Sequence, residues 1–208
     1  MGIDSQIPYR QKVIIMNRTM KMSESLESAF MQRCNTRSDI NEHMPTLKLL
    51  ADQCDHIVEM GTRGIFSSYG FLSGLPKTLI CIDYKHPSYY NGDLDLLEKI
   101  AEENGVEFEF IEADTRKIEI GKTDLLFIDT EHTYEQLSCE LSLHGNKSKK
   151  YIVCHDTGSA GVFSAGLNKA IDEFLENNPH WSRYVVYDNC EGLTVMKRSI
   201  ERSNKNDL

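Results

Sequence analysis

Short apolar runs alternate with helical segments along most of the chain, and this alternation constrains the fold more than any other feature. Five runs predict strands, at residues 56–60, 78–83, 106–113, 124–129 and 151–155. Apolar spacing predicts helices at residues 23–34, 41–54, 67–73, 94–104, 133–143 and 167–177. Strands that are apolar on both faces and separated by helices are typical of a parallel sheet with helices on both sides.

The end of the chain departs from this alternation. Two further strands, predicted at residues 183–187 and 193–197, are separated only by residues 188–192. Such a connection is too short for a crossover between parallel strands, so the two strands must form an antiparallel hairpin. The sequence therefore predicts an α/β sandwich with a seven-stranded mixed sheet and a C-terminal antiparallel hairpin. This is a Rossmann-like sheet of the methyltransferase type, not a six-stranded dinucleotide-binding sheet.

Residues 23–199 are predicted to form a single domain, in which residues 23–54 supply two N-terminal cap helices that roof an acceptor pocket. Residues 1–22 are polar and weakly patterned and are interpreted as an N-terminal extension. A strand-like segment at residues 12–16 offers an edge that could pair between subunits, so a homo-oligomer is one possibility. Residues 200–208 are interpreted as a C-terminal tail.

Composition and charge restrict the classes of partner that the chain can bind. The chain has 23 basic and 32 acidic side chains and a net charge of −9, which disfavours binding to a nucleic-acid backbone. Its apolar runs are far shorter than the ~20 residues of a membrane helix. Six well-separated cysteines form neither a zinc knuckle nor a CxxC motif. We expect a cytoplasmic protein that binds neither nucleic acid nor a membrane.

An acidic residue follows or ends each of the five parallel strands. These residues are Glu59, Asp83, Asp114, Asp129 and Asp156. A single acidic residue at such a position usually caps a helix. Because ligands bind at the carboxyl ends of strands in an open parallel sheet, five in series predict a ligand site at this edge.

The first strand end indicates the kind of ligand. Glu59 and Gly61 bracket a tight turn, but the following residues depart from G-x-G-x-x-G, and no phosphate-binding Lys-Ser/Thr pair follows. Asp83 lies roughly 20 residues beyond the turn, at the position from which a carboxylate binds ribose hydroxyls. The pattern favours a ligand that contains adenosine and lacks a pyrophosphate, and it disfavours a dehydrogenase.

Several motifs between residues 56 and 197 together carry a resemblance to a known family. They are Val58-Glu59-x-Gly61-Thr62, Ile82-Asp83, Ala113-Asp114-Thr115, Phe127-Ile128-Asp129-x-x-His132-x-Tyr134 and His155-Asp156-Thr157. With these motifs the chain resembles the class I S-adenosylmethionine (SAM)-dependent methyltransferases. It is most similar to the branch that contains metal-dependent small-molecule O-methyltransferases and cephalosporin-hydroxylase-like proteins.

The resemblance implies SAM as cofactor. Glu59, Gly61 and Ser67 would hold its methionine end, Asp83 its ribose and Asp114 its adenine amino group. The other residues that it implies at the cofactor are Thr62, Arg63, Tyr84, Thr115 and Asp129. Ile65 stands where these proteins commonly carry glycine, which predicts a branched side chain that crowds the methionine end.

The resemblance also implies metal assistance. Asp129, Asp156 and Thr157 would bind Mg²⁺ or another divalent cation, which lowers the pKa of a substrate hydroxyl. His132 would be the general base, so Asp129 and His132 are the expected catalytic residues. His155 is as readily a packing residue as a ligand. Two alternatives stay open: a metal-independent methyltransferase for another acceptor, and an inactive cofactor-binding or scaffold protein.

Overall fold

A computed structural model describes residues 21–159 and 161–199. Its seven strands form one sheet in the order β3-β2-β1-β4-β5-β7-β6. The strands are β1 (His56–Met60), β2 (Thr78–Asp83), β3 (Glu107–Glu112), β4 (Thr123–Ile128), β5 (Ser148–His155), β6 (Trp181–Tyr187) and β7 (Leu193–Arg198). The predicted seven-stranded mixed sheet is confirmed. The predicted strand at residues 12–16 and the C-terminal tail lie outside the described residues.

Strands β1 to β5 are mutually parallel, and β7 runs antiparallel to both β5 and β6. The chain reverses its direction across the sheet between β3 and β4, because β1 is flanked by β2 on one side and β4 on the other. The carboxyl ends of β1 and β4 are therefore neighbours at the switch point of the sheet, where open α/β sheets bind their ligands.

Within the described residues, six α-helices cover the sheet. They are α1 (Glu24–Asn35), α2 (Met44–Ala51), α3 (Phe66–Leu72), α4 (Leu94–Glu103), α5 (Tyr134–His144) and α6 (Ser164–Asn177). The single helix predicted over residues 41–54 is instead a short 3₁₀ turn, Asn41–His43, followed by α2. Pro45 lies in the first turn of α2, where its fixed φ suits a helix start and its missing N–H needs no partner.

Two apolar cores lie on opposite faces of the sheet, and strand β4 shows the division. Its Leu125 and Phe127 belong to one core, and its Leu126 and Ile128 belong to the other. The first core contains residues from α1 to α4, and the second contains residues from α5 and α6. Burial of both faces explains why the strands read as continuous apolar runs.

In residues 21–159 and 161–199, no helix combines the length and apolar character needed to cross a membrane.

Gly61 fixes the geometry at the switch point. Its φ is +84°, and its backbone N–H donates to the carbonyl of Ile82 at 2.8 Å. A Cβ at this position would lie 1.8 Å from the carbonyl oxygen of Asp129. Glycine is therefore required both for the left-handed conformation and for the close approach of the two strand ends.

We predict that Gly61→Ala lowers the free energy of unfolding by at least about 3 kcal/mol, because it adds a steric clash to the strain of positive φ. Gly105→Ala separates the two effects, since Gly105 has a φ of +68° but an added methyl group there would meet no other atom within 4 Å. It should cost only about 1 kcal/mol. Gly121→Ala, also in open space, should change stability by less than about 0.5 kcal/mol. Chemical denaturation measures all three, and equal losses in Gly61→Ala and Gly105→Ala would contradict the steric argument.

Candidate functional site

A cavity of about 740 Å³ opens at the carboxyl edge of the sheet. Of the five acidic residues that the sequence places at strand ends, four line it: Asp83, Asp114, Asp129 and Asp156. The predicted residues Gly61, Arg63, Tyr84, Thr115 and His132 also line it. A cavity of this size suits a small-molecule ligand or cofactor.

Asp83 ends β2 and organises the turn that follows β1. Its Oδ2 accepts hydrogen bonds from the backbone N–H groups of Thr62 and Arg63, at 2.8 and 2.9 Å. Its Oδ1 accepts one hydrogen bond, from the N–H of Lys85 at 3.0 Å. A carboxylate has about four acceptor positions, so Oδ1 keeps capacity for a hydroxyl in the cavity.

Asp114 and Thr115 follow β3 on the same side of the cavity. Arg116 Nε and Lys117 Nζ lie 3.2 and 3.0 Å from the carboxylate of Asp114. The hydrogen bonds from Arg116, followed by that from Lys117, hold the pKa of Asp114 well below its usual range. The hydroxyl of Thr115 donates to the buried Glu140 of α5. Asp114 is therefore an ionised hydrogen-bond acceptor.

Glu59 and Ser67 lie behind the turn and not among the cavity-lining residues. Glu59 is fully buried, and its carboxylate accepts hydrogen bonds from Ser67, from Ser68 at 2.6 Å and from the Cys81 thiol at 3.0 Å. Burial raises the pKa of Glu59 to about 7 despite these hydrogen bonds. This cluster joins β1 to β2 and α3 beneath the turn.

The loop before α3 corrects the expectation for Ile65. This residue has a φ of 60°, an unusual conformation for a β-branched side chain, and is only 1% exposed. The side chain packs in the first apolar core and does not line the cavity, so it does not crowd a ligand there. Arg63, also at positive φ, points to solvent and pairs with Asp39 at 2.8 Å. Asp39 follows α1 and lines the cavity.

Two carboxylates meet at the ends of β4 and β5. The imidazole Nε2 of His132 lies 2.9 Å from Oδ2 of Asp156 and 3.3 Å from Oδ1 of Asp129. One potential ligand atom from each of these three residues lies within 4.8 Å of the others. The ring of His132 is also 5.3 Å from that of Phe163, which precedes α6. Carboxylate and imidazole groups at these separations are suited to binding one divalent cation.

Thr157, predicted as a further ligand, is buried beside β7. Its hydroxyl is 2.9 Å from that of Thr194. Its backbone carbonyl accepts a hydrogen bond from Asn168 at 2.9 Å. These contacts direct the residue toward β7 and α6, and it does not line the cavity.

His155 joins the two carboxylates from the buried side. Its Nδ1 is 3.0 Å from Oδ2 of Asp156 and 3.5 Å from Oδ2 of Asp129. Strict strand alternation would turn His155 away from Asp156. The alternation ends at Asp156, whose φ is 58°, so adjacent side chains reach the same place. The sequence places His155 and Asp156 together at a strand end, but it gives no reliable indication that an aspartate adopts a positive φ.

The four side chains balance one another's charge. Hydrogen bonds to Asp129 and Asp156 raise the pKa of His132 to about 10. Burial alone would lower the pKa of His155, but hydrogen bonds to the same carboxylates outweigh it and raise that pKa to about 11. Burial likewise opposes charge on Asp156, yet its histidine partners lower its pKa. Both histidines therefore carry protons at neutral pH in this arrangement.

The sequence did not single out the polar residues of α5 beneath the cavity. Gln136 lines the cavity and donates to Glu140 at 2.7 Å. Glu140 also accepts from Thr115 and, at 2.8 Å, from Thr130. Gln136 and Glu140 lie on α5, and the sequence gives no sign that these two polar side chains are buried.

We predict that the stability of the wild-type protein relative to Glu59→Gln falls by roughly 3 kcal/mol between pH 5 and pH 8. A carboxyl group whose pKa is raised on folding stabilises the protein at low pH and loses that effect as pH rises through the folded-state pKa, at about 1.4 kcal/mol per unit. The glutamine variant cannot titrate here. Denaturation at both pH values tests this, with Glu109→Gln on the exposed face of β3 as control. A pH-independent difference would contradict the raised pKa.

No protein-family model matches the chain, and no curated protein matches its sequence. Solved structures do match its fold. The O-methyltransferase from Bacillus cereus in complex with SAH has a TM-score of 0.58 and 14% identity, over 88% of this chain and 94% of that one. The O-methyltransferase TomG from Streptomyces achromogenes, in complex with SAM, has a TM-score of 0.56 and 18% identity, over 88% and 93% of the two chains.

A third similar structure is the SAH-bound methyltransferase PaMTH1 from Podospora anserina. Its TM-score is 0.55 at 14% identity, over 86% of this chain and 89% of that one. At identities this low, the structural matches establish a common fold and not a common activity. The protein therefore has the fold of the class I SAM-dependent methyltransferases.

Proposed function

We propose that this protein is a SAM-dependent methyltransferase that methylates a hydroxyl group of a small molecule or sugar with the help of a divalent cation. One observation carries the proposal. The carboxylates of Asp129 and Asp156 meet beside His132 in the same cavity that Asp83 and Asp114 line. An adenosine-binding set and a cation-binding set thus share one space.

The cofactor assignment rests on the turn after β1. Gly61 lines the cavity at this turn, and Asp83 offers Oδ1 to ribose hydroxyls. Asp114 is held ionised, and an adenine amino group can replace one of its exposed side-chain partners, Arg116 or Lys117, as a hydrogen-bond donor. Arg63 lies at the cavity, where its guanidinium can pair with a carboxylate. The structures with bound SAM or SAH that share this fold support the same assignment.

Other predicted cofactor residues act from behind or beside this set. Thr62 presents its N–H to Asp83 and so fixes the turn. Glu59 and Ser67 support the turn from the buried side. Tyr84 is exposed at the cavity, where its ring can pack on a planar base. Thr115 lines the same wall.

The cation site is proposed from its donors. Asp129 and Asp156 supply carboxylate oxygens from two adjacent strand ends, which suits Mg²⁺ or a related ion. When bound, such an ion lowers the pKa of a hydroxyl and orients it toward the methyl group.

His132 is proposed as the general base. Its Nε2 can accept a proton only when it no longer donates to Asp129 and Asp156. A cation held by these two carboxylates would take the place of that hydrogen bonding and leave Nε2 available. The hydroxyl oxygen then bonds to the methyl carbon as the sulfur–carbon bond breaks. The hydroxyl proton passes to His132, and the sulfonium becomes a neutral thioether.

The charge balance of the four side chains favours a second candidate. Two protonated histidines already offset two carboxylates, so the site is electrostatically complete without an ion. A metal-independent methyltransferase would use the same cavity with His132 as a hydrogen-bond donor. The role of the cation separates the two candidates.

We predict that Asp83→Ala weakens SAM binding at least 100-fold, because it removes a carboxylate that contacts the ligand and also anchors the N–H groups of the turn. Titration calorimetry with SAM measures the effect. Asp95→Ala, on the exposed face of α4, is the matched control and should bind as the wild type does. An unchanged affinity in Asp83→Ala would remove the ribose assignment.

We predict that chelation abolishes methyl transfer from radiolabelled SAM to a panel of catechols and monosaccharides, and that a divalent cation restores it. Asp129→Asn should keep SAM binding but lose cation-restored transfer. His132→Gln should bind SAM and the cation yet transfer methyl groups about 100-fold more slowly, the usual effect of losing a general base.

His56→Gln, at the amino end of β1, controls for loss of a histidine far from the cavity. Full transfer in the presence of chelator would exclude the metal-assisted reaction and establish the second candidate.

A further inference from the structure

A buried histidine faces the proposed cation site from inside the protein. The side chain of His155, at the end of β5, is 1% exposed. Its Nδ1 lies 3.0 Å from Oδ2 of Asp156 and 3.5 Å from Oδ2 of Asp129. On its other side, Nε2 lies 3.0 Å from the carbonyl oxygen of Asp39 and 3.2 Å from that of Cys190. Three separate segments of the chain thus hold the ring in place.

The two carbonyl contacts determine which ring nitrogen can bind an ion. Carbonyl oxygens only accept hydrogen bonds, so Nε2 must carry a hydrogen. In the neutral ring the lone pair is then on Nδ1, which faces Asp129 and Asp156. Histidines that bind metals in proteins have this arrangement, with the other ring N–H donated to a carbonyl or carboxylate that fixes the tautomer.

The distances also fit one shared ion. Two ligand atoms each about 2.1 Å from an ion are about 3.0 Å apart at a right angle and about 3.4 Å apart at the tetrahedral angle. The separations of His155 Nδ1 from Asp156 and Asp129, 3.0 and 3.5 Å, match these values. The buried ring therefore needs no movement to become a ligand.

We infer that His155 is the third protein ligand of the cation site, through Nδ1, and that the site selects a transition-metal ion such as Co²⁺ or Zn²⁺ over Mg²⁺. This inference rests on the proposed cation-assisted function. Mg²⁺ is bound almost entirely through oxygen, whereas imidazole nitrogen favours iron, nickel, zinc and similar ions. A rigid nitrogen donor between two carboxylates therefore shifts the preference of the site.

His43 provides a matched control because its surroundings are nearly the same. It is 1% exposed, and its Nε2 is 3.0 and 3.2 Å from the carbonyl oxygens of Asn189 and Cys190. Its ring is 5.8 Å from that of His155 and 5.6 Å from that of Tyr187. Replacing His43 disturbs the same buried region without removing the nitrogen that faces the carboxylates.

The test measures metal binding directly on the full-length, metal-stripped protein. Calorimetry gives the affinities for Co²⁺ and for Mg²⁺ in the wild type and in four variants: His155→Gln, His155→Asp, His132→Gln and His43→Gln. Pulsed EPR of bound Mn²⁺ detects coupling to a directly ligated imidazole nitrogen and can be measured on the unaltered wild-type protein. Thermal unfolding verifies that each variant is folded.

We expect the wild type to bind Co²⁺ at least 100-fold more tightly than Mg²⁺ and to show nitrogen coupling to Mn²⁺. His155→Gln should lose the coupling and weaken Co²⁺ binding by about 10- to 100-fold, the usual cost of disturbing a metal ligand shell. His155→Asp replaces the nitrogen donor with a carboxylate oxygen and should therefore lower the ratio of Co²⁺ to Mg²⁺ affinity. His43→Gln should match the wild type in both measurements.

Three results would overturn the inference. The wild type could show no nitrogen coupling, or His155→Gln could have the same ratio of Co²⁺ to Mg²⁺ affinity as the wild type. The coupling could also disappear only in His132→Gln. If Mg²⁺ binds as tightly as Co²⁺ and supports methyl transfer, the inference fails while the proposed function stands. If neither ion binds and transfer survives chelation, the cation role in the proposed function fails as well.

Discussion

The close approach of Gly61 to the carbonyl of Asp129 is the constraint on which the site depends. A side chain at residue 61 would overlap that carbonyl, and the N–H of Asp129 donates to Met60 at 2.8 Å. The ends of β1 and β4 are thereby held together. The turn after β1 can then direct two backbone N–H groups at Asp83, while Asp129 projects into the same cavity. One missing side chain thus positions both Asp83 and Asp129 at the cavity.

Charge is the second constraint. Asp129 and Asp156 lie close together and partly out of water, and uncompensated carboxylates in such a place are costly. Without an ion, the protons on His132 and His155 offset them. A divalent cation carries the same total charge as those two protons. Under the proposed function, protons and a cation would compete for one pair of carboxylates, so the protonation of the histidines and the occupancy of the site would be parts of a single equilibrium.

The topology could be predicted from the sequence because it follows from periodicity and connection length. Strands apolar on both faces require helices on both sides, and the five residues between β6 and β7 leave only a hairpin. Parallel strands share a carboxyl edge, so the sequence also predicted that the acidic residues at the strand ends would meet at one cavity. Four of them do: Asp83, Asp114, Asp129 and Asp156. His132 entered the same space because it lies three residues after Asp129.

Two of the failures of prediction concern single backbone angles. Ile65 adopts a φ of 60°, which turns its side chain into the core and away from the ligand space. Asp156 at φ 58° ends the alternation that would have separated it from His155. Left-handed conformations at non-glycine residues are rare and depend on tertiary packing. A rule based on residue type and spacing cannot anticipate them.

The segment between α1 and α2 links the two ends of the site through one residue. The carbonyl of Asp39 accepts a hydrogen bond from Nε2 of the buried His155, and its carboxylate pairs with Arg63 in the turn after β1. The second contact is exposed, so it contributes little to stability. The first is buried and fixes the tautomer of a ring that faces two carboxylates. The N-terminal helices therefore do more than cover the sheet, because their connection sets the chemistry that His155 can offer.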